Sequence, residues 1–353
     1  MVEQLKSCLK NGEAALIMSE ENISYFTSFH SSNGYLVVTK DKSFFLTDSR
    51  YIEAAGNTIK SCDEILLLKS LQSDLVNLID SLDINEIMLE SERTTVSRYN
   101  KIKELLPDIT VSAAGDLDNY IDEIRITKNK KEFSKIIKAQ RIAERAFDHI
   151  LSFISTEKTE KEIALELDYF MLKNGADALS FETIAVSGKN SSMPHGVPSD
   201  KKIENGDFIT MDFGAIFDFY HSDMTRTVAV GEVSTKQIEV YETVLTAQLE
   251  AIAKIKAGAV CRDVDKVARD IITSKGYSEC FGHGLGHGVG VEIHESPSLN
   301  PTSSYVLKTG NIVTVEPGIY IPGEFGVRIE DMGAVTENGF ENFTLSEKKL
   351  IVL

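Results

Sequence analysis

MDFGAIFDFYHSDMTRT, residues 211–227, sets two carboxylates, Asp212 and Asp223, in a run of apolar and β-favouring residues. Such runs mark buried strands, and a carboxylate is tolerated there only with partners. The two aspartates stand eleven residues apart, with Phe217-Asp218 midway between them. A hairpin turning at that midpoint would bring them face to face across its strands. A single long strand would send them to opposite faces, because the separation is odd. The turn residues are not those of an ideal tight hairpin, since Asp218 is followed by Phe219 rather than Gly.

The pattern recurs in VTVEPGIYIPGEFGVRIED, residues 313–331. Glu316 and Glu330 lie fourteen apart about Gly323, inside the turn sequence Pro322-Gly323-Glu324. One pair of facing acids could belong to a solvated sheet face. Four acids in apolar strands repel strongly unless protonated or bound to cations. A divalent ion is the economical answer, because it neutralises buried carboxylates. A neutral ligand is at hand in GHGLGHGVGVEIHE, residues 282–295, where His283, His287 and His294 alternate with glycines. This is no phosphate loop, because it lacks the GKS or GKT ending and the strand–turn–helix setting. Alone it would read as a flexible loop with incidental metal affinity. Beside four strand-borne acids it reads as part of a metal site.

Composition sets the frame. The length of 353 residues favours two domains over one. A net charge of −17 speaks against nucleic acid as a partner, which would call for a basic surface. Cys8, Cys62, Cys261 and Cys280 show no metal-type spacing and fit a reducing, cytoplasmic setting. The opening MVEQLKSCLKNGEAALIM has no long apolar core, so no signal peptide is expected. No stretch is apolar over the roughly 18 residues of a membrane span, so no membrane partner is expected.

Along the chain, AALIMSEENISYFTSF (14–29) reads as a short strand followed by a polar turn. YLVVT (35–39) and SFFLT (43–47) read as a hairpin, and EIMLE (86–90) as a further strand. This α/β alternation covers about the first 120 residues and changes character near 125. From there Phe133, Ile136, Ile137, Ala143, Phe147, Ile150 and Leu151 fall near helical spacing. Thr159 with Glu162, and Ser234 with Gln237, form capping boxes for two more helices; Asn174-Gly175 ends the first and the second runs to about 256. Val260, Val264, Val267 and Ile271 line one face of another helix, stopping near Gly276. Strand-like segments at 207–230, 311–321 and 325–336 lie between, so the second half is α+β.

Asp212, Asp223, His287, Glu316 and Glu330 together resemble the five-ligand signature of the pita-bread metallopeptidases. This group includes methionine aminopeptidase, Xaa-Pro aminopeptidase and Xaa-Pro dipeptidase (prolidase). SFETIAVSGKNSSMPHGVPSD (180–200), MDFGA…HSDMTRT, GHGLGHGVGVEIHE and VTVEPGIY…VRIED match in order and spacing. The first 120 residues resemble the N-terminal domain of the Xaa-Pro branch and of creatine amidinohydrolase, which methionine aminopeptidases usually lack. The implied organisation is a creatinase-like α/β domain over 1–124 and a pita-bread catalytic domain over 125–353.

The resemblance also implies a site. Two divalent ions are expected, with Mn²⁺ first and Co²⁺, Fe²⁺ or Zn²⁺ as substitutes. Asp223 and Glu330 would bridge them, Asp212 would complete one ion, and His287 with Glu316 the other. Water activated between the ions would be the nucleophile, with Glu316 shuttling its proton. His195, in MPHG, and His294 match substrate-facing imidazoles. His283, Tyr320 and Arg328 match positions that line or brace the site, and Thr225 supports a ligand. No catalytic role is assigned to His221. The implied substrates are proline-containing peptides or dipeptides, cut ahead of proline by an Xaa-Pro aminopeptidase, with a strict dipeptidase as the alternative. Members of the group are typically dimers, so a homodimer is expected. The full ligand set argues against a non-catalytic binding module and against creatine amidinohydrolase, which uses no metal.

Overall fold

The hairpin of Gly34–Thr39 and Ser43–Thr47 forms as expected, with both strands almost wholly buried. It sits inside a six-stranded mixed sheet of a computed structural model that describes residues 1–353. Glu13–Ile17 lies antiparallel to Gly34–Thr39 and parallel to Glu86–Leu89, the strand expected at EIMLE. Leu16, Val37, Leu46 and Ile87 pack from this sheet against helical Leu75, Ile79 and Ile102. The expected polar turn after the first strand is instead the helix Glu20–Thr27. Its polar residues misled the reading because Asn22 and Ser24 are buried with partners: Asn22 donates to the Glu90 carboxylate and accepts from Arg125.

The chain divides into two compact units, Met1–Arg125 and Ile126–Leu353. The second is α+β. Its helix Lys130–Phe153 begins with a capping box of Asn129 and Glu132, which satisfies otherwise orphaned backbone N–H groups. The capping boxes at Thr159 and Ser234 open the helices Glu160–Lys173 and Thr235–Lys254. Helix Cys261–Ser274 buries Cys261, Val264, Ala268 and Ile272. The Val267–Ile271 face assigned from sequence is therefore one residue out of phase. The stripe is wide enough to admit both choices, and Ala268 with Ile272 points more directly at the core.

The strands of this unit carry the carboxylates. Phe208–Phe213 pairs antiparallel with Met224–Ala229, placing Thr225 rather than Asp223 opposite Asp212. The expected turn at Phe217-Asp218 falls one residue later, on Asp218 and Phe219, both at positive φ (49° and 71°). Asp223 therefore stands diagonally from Asp212. Gly214 makes that register possible, because a Cβ there would collide with the Ser222 carbonyl oxygen. The second hairpin turns at Gly323 as expected, with Gly318–Ile321 paired to Phe325–Arg328. Ile312–Val315 continues the same register against Asp331–Val335. Glu316 and Glu330 thus fall opposite each other in the gap between the two ladders. No helix is long and apolar enough to cross a membrane.

Arg226 stitches the two hairpins together. Its side chain is among the largest fully buried ones, and it donates to the Thr225, Glu330, Ser346 and Glu347 carbonyls and to Asp331. Without Arg226 the Glu330, Ser346 and Glu347 carbonyls lose this donor, and Asp331 is left with Lys348 and Asn342, so Arg226→Met is expected to destabilise the fold by about 3 kcal/mol. Denaturant unfolding of the variant beside the parent protein, followed by circular dichroism, measures this.

Candidate metal centre

Each of the five ligand-type residues sits where a strand meets its end or its edge. Asp212 is the penultimate residue of Phe208–Phe213, and Asp223 immediately precedes Met224–Ala229. Glu316 follows Ile312–Val315, and Glu330 precedes Asp331–Val335. His287 is the middle residue of Gly286–Gly288, a strand pressed between Glu295–Leu299 and Ile312–Val315. Side chains on the flanking glycines would strike the Thr314 and Ser296 carbonyls, so only glycine lets the backbone carry His287 this deep.

Ligand atoms of Asp223, His287 and Glu330 lie within 4.8 Å of one another. His287 Nε2 is 3.5 Å from Asp223 and 3.4 Å from Glu316. The imidazole tautomer follows from its other nitrogen. Nδ1 faces the Gly288 carbonyl at 3.0 Å and must donate there, which leaves Nε2 as a lone pair aimed at the acids. Burial pushes the His287 pKa down to about 4, so the ring stays neutral. A neutral imidazole with a free lone pair is the form that binds metal.

The carboxylates show the strain of crowding. Burial, with repulsion from Asp212 and Glu316, raises the Asp223 pKa well above its ordinary value. Glu330 is raised likewise by burial and by Asp223, and Glu316 is pushed up to about 8 by burial with repulsion from Asp212. Asp212 Oδ1 and Glu330 Oε1 are buried without a hydrogen-bond partner. Buried oxygens without donors, converging acids and one lone-pair imidazole fit divalent cations as the missing partner.

The supporting residues lock this set in place. Thr225 Oγ1 donates to Glu330 at 2.8 Å. Arg328 donates to Asp212 at 2.6 Å, to Tyr320 Oη at 2.8 Å, to Thr225 Oγ1 at 3.0 Å and to the Pro194 carbonyl at 3.2 Å. Burial opposes charge on this guanidinium, but Tyr320, Asp212 and Glu316 more than offset it, and it stays protonated. His283 Nδ1 donates to the Gly284 carbonyl, so its Nε2 accepts from the Tyr320 hydroxyl at 3.0 Å. Tyr320 is buried against Arg328, its pKa pushed up to about 12 by burial, so it remains a donor.

A cavity of about 560 Å³ opens over the acids, with His195, His283, His294 and Arg328 in its wall. His294 packs edge-on against His287, ring centres 4.4 Å apart, and both His294 and His195 are exposed. The structure thus gathers nine of the eleven residues singled out from sequence in the wall of one cavity, and Tyr320 and Thr225 are bonded to Arg328 behind it. His221 is elsewhere, tied to Ser180 Oγ at 2.8 Å. One residue missed by the sequence reading is Thr314, which accepts from the His287 amide and donates to Glu316. Strand alternation carried the signal, since Thr314 lies two residues before Glu316 and so on its face.

Residues 134–337 match the model of metallopeptidase family M24, and residues 9–127 match the creatinase/prolidase N-terminal domain. A structure of an Xaa-Pro dipeptidase from Bacillus anthracis is 42% identical and superposes with a TM-score of 0.95, covering 100% of this chain and 99% of that one. An X-Pro aminopeptidase from Thermotoga maritima is 37% identical with a TM-score of 0.93, over 99% and 100% of the two chains. The Xaa-Pro dipeptidase of Pyrococcus furiosus is 37% identical over 96% of this chain and 95% of its own. The chain belongs to metallopeptidase family M24 and has the pita-bread fold, preceded in sequence by a creatinase-type N-terminal domain. It is a metallo-exopeptidase, of a family that works with divalent metal ions.

The geometry separates two adjacent histidines by role. His287→Ala is expected to lose bound metal, whereas His294→Ala is expected to retain it. Atomic emission spectrometry on the dialysed proteins reads the difference.

Proposed function

We propose that this M24 peptidase is an Xaa-Pro aminopeptidase, cutting the amide between an N-terminal residue and proline. The observation that carries the reading is the state of Arg328. It is the only Arg or Lys in the cavity wall, and four of its five N–H bonds are already committed to Asp212, Thr225, Tyr320 and Pro194. A strict dipeptidase needs a cationic group to hold the free carboxylate of its substrate. Without a free one in the wall, the chain beyond proline has no charge-based stop. The relatives named Xaa-Pro dipeptidase support the narrower reading, in which only dipeptides are cut.

In this proposal Asp212, Asp223, His287, Glu316 and Glu330 would hold the divalent ions. Oxygen-rich coordination with one imidazole suits Mn²⁺. Bound ions of this kind supply Lewis acidity to the scissile carbonyl and to the attacking water. Glu316 takes the water proton on its carboxylate and delivers it to the departing nitrogen. That delivery matters because an amide nitrogen of proline carries no hydrogen of its own. His195 and His294 donate to the oxygen on which negative charge develops. Arg328 holds the Asp212 carboxylate in place through its hydrogen bond, and the Tyr320–His283 chain fixes Arg328 in turn.

Glu316→Gln keeps the size of the side chain but removes the proton carrier, so kcat is expected to fall by about 10²–10⁴. Steady-state kinetics with Mn²⁺-loaded protein measures it. Substrate length decides between the two readings. Ala-Pro-Ala and longer Xaa-Pro peptides are expected to be cleaved with kcat/KM at least equal to that for Ala-Pro, after chelation has abolished activity and Mn²⁺ has restored it. Cleavage of Ala-Pro alone would establish the dipeptidase.

A further inference from the structure

His195 enters the cavity wall from the segment between Ser187 and Ser199, and the residue is exposed there. Its position is therefore set by the backbone that carries it. That backbone is gathered by a single carboxylate. Glu160, the first residue of helix Glu160–Lys173, is fully buried. One oxygen accepts from Ser187 N at 2.7 Å and Ser187 Oγ at 2.9 Å. The other accepts from Ser199 N at 3.0 Å and Ser199 Oγ at 2.6 Å. Asn190 Nδ2 reaches both oxygens, at 3.1 and 3.2 Å.

The two ends of the segment are thus fastened to the two oxygens of one side chain. Asn190, in the 3₁₀ turn Gly188–Ser192, ties the interior to the same point. Beyond Glu160, Ser187 pairs with Ile209 in the sheet and the Ser199 carbonyl accepts from Lys161 N at 3.1 Å, while the interior is held at Ser191, which accepts from Gly326 N at 2.9 Å, and at Pro194, whose carbonyl accepts from Arg328. The burial of the charge is supported by its setting. A helix N-terminus favours an anion at its first turn, and Lys201 Nζ donates to Ser187 Oγ at 3.0 Å.

We infer that Glu160 is a positioning residue for catalysis, fixing the His195 imidazole by closing the segment 187–199 on itself. The inference rests on the substrate-facing role proposed above for His195. A carboxylate is required because Ser187 N–H and Ser199 N–H are fixed donors, one at each end. An amide in its place presents one oxygen and one NH₂, so it must turn a donor against a donor and release one end.

The test is a double-mutant cycle of Glu160→Gln and His195→Ala, on the full chain loaded with Mn²⁺, with an Xaa-Pro peptide that the parent protein cleaves. His195→Ala is expected to lower kcat by about 10²-fold, as for loss of one donor to a developing oxyanion. Glu160→Gln is expected to lower kcat by about tenfold or more through misplacement of the ring. Metal content should stay at the parent level, and KM should change less than kcat. In the His195→Ala background, the same Glu160 change should leave kcat within about twofold, since coupled residues are not additive.

Losses that multiply in the double variant would overturn the inference, as would an unchanged kcat in Glu160→Gln. An unchanged kcat in His195→Ala would instead remove the role of His195, and the inference with it. If Glu160→Gln does not fold, Ser199→Ala takes its place. It deletes one donor at the far end and should give a smaller loss with the same non-additivity; full additivity there would overturn the inference equally.

Discussion

Four carboxylates meet in one buried cluster, and their repulsion is the constraint on which the catalytic unit is organised. Like charges at this separation cannot all remain ionised in a weakly polar interior without counter-charge. Each acid has a separate answer to that problem. Asp212 faces the Arg328 guanidinium, Glu330 accepts from Thr225, and Glu316 accepts from Thr314. Asp223, which has the least of this support, faces His287 and shows a strongly raised pKa. None of these contacts balances the full negative charge. The buried oxygens left over on Asp212 and Glu330 point to the remainder, which divalent cations supply.

Holding repelling groups together demands a stiff frame, and side chains rather than sheet ladders provide it. Strand Met224–Ala229 crosses the second hairpin without forming a ladder with it. Arg226 bridges them through the Glu330 carbonyl and Asp331, and Thr227 accepts from Arg328 N while donating to Arg328 O. The Glu330 amide donates to the Thr225 carbonyl. Thr225, Arg226 and Thr227, shortly after Asp223, all bond to the second hairpin, so the contacts that aim the acids also join the two sheets. A loss of stability and a loss of ligand geometry are accordingly coupled in this region.

Much of this was legible in the sequence, and the failures have physical causes. Carboxylates inside apolar strands are costly enough to announce themselves, so the four acids stood out from pattern alone, whereas only the family resemblance singled out His287 among three neighbouring histidines. Glu316 and Glu330 were correctly paired because Pro322-Gly323-Glu324 fixes the turn. The first hairpin was misplaced by one residue because its turn runs through Asp218 and Phe219 at positive φ, a conformation that Phe rarely announces. The helix at Glu20–Thr27 was hidden by polar residues whose partners lie 68 and 103 residues away. Glu160 was invisible for the same reason: it looks like an ordinary acidic residue of a first helical turn, and its partners come from 27 to 39 residues downstream. Local pattern reports burial and turns; it does not report which distant donors a buried charge will meet.

The two kinds of histidine show how rigidity is distributed. His287 is set in a strand, its tautomer locked by Gly288 and its ring screened from water. His195 and His294 lie on irregular backbone and reach the cavity with exposed rings. A metal ligand works from a fixed lone pair, so strand placement suits it. In the role proposed for His195 and His294, a donor to a developing charge must instead meet a substrate that arrives and leaves, which favours loop placement over a rigid base. Loop placement then transfers the demand for precision to whatever holds the loop. In the second unit those holders are themselves buried charges, Glu160 for one segment and the Lys128–Glu295 pair, 2.8 Å apart, beside the other. Oriented dipoles and charges that need not reorganise during reaction are the main source of electrostatic catalysis. Here that preorganisation extends one layer outward, from the groups that would touch substrate to the carboxylates that fasten their backbone.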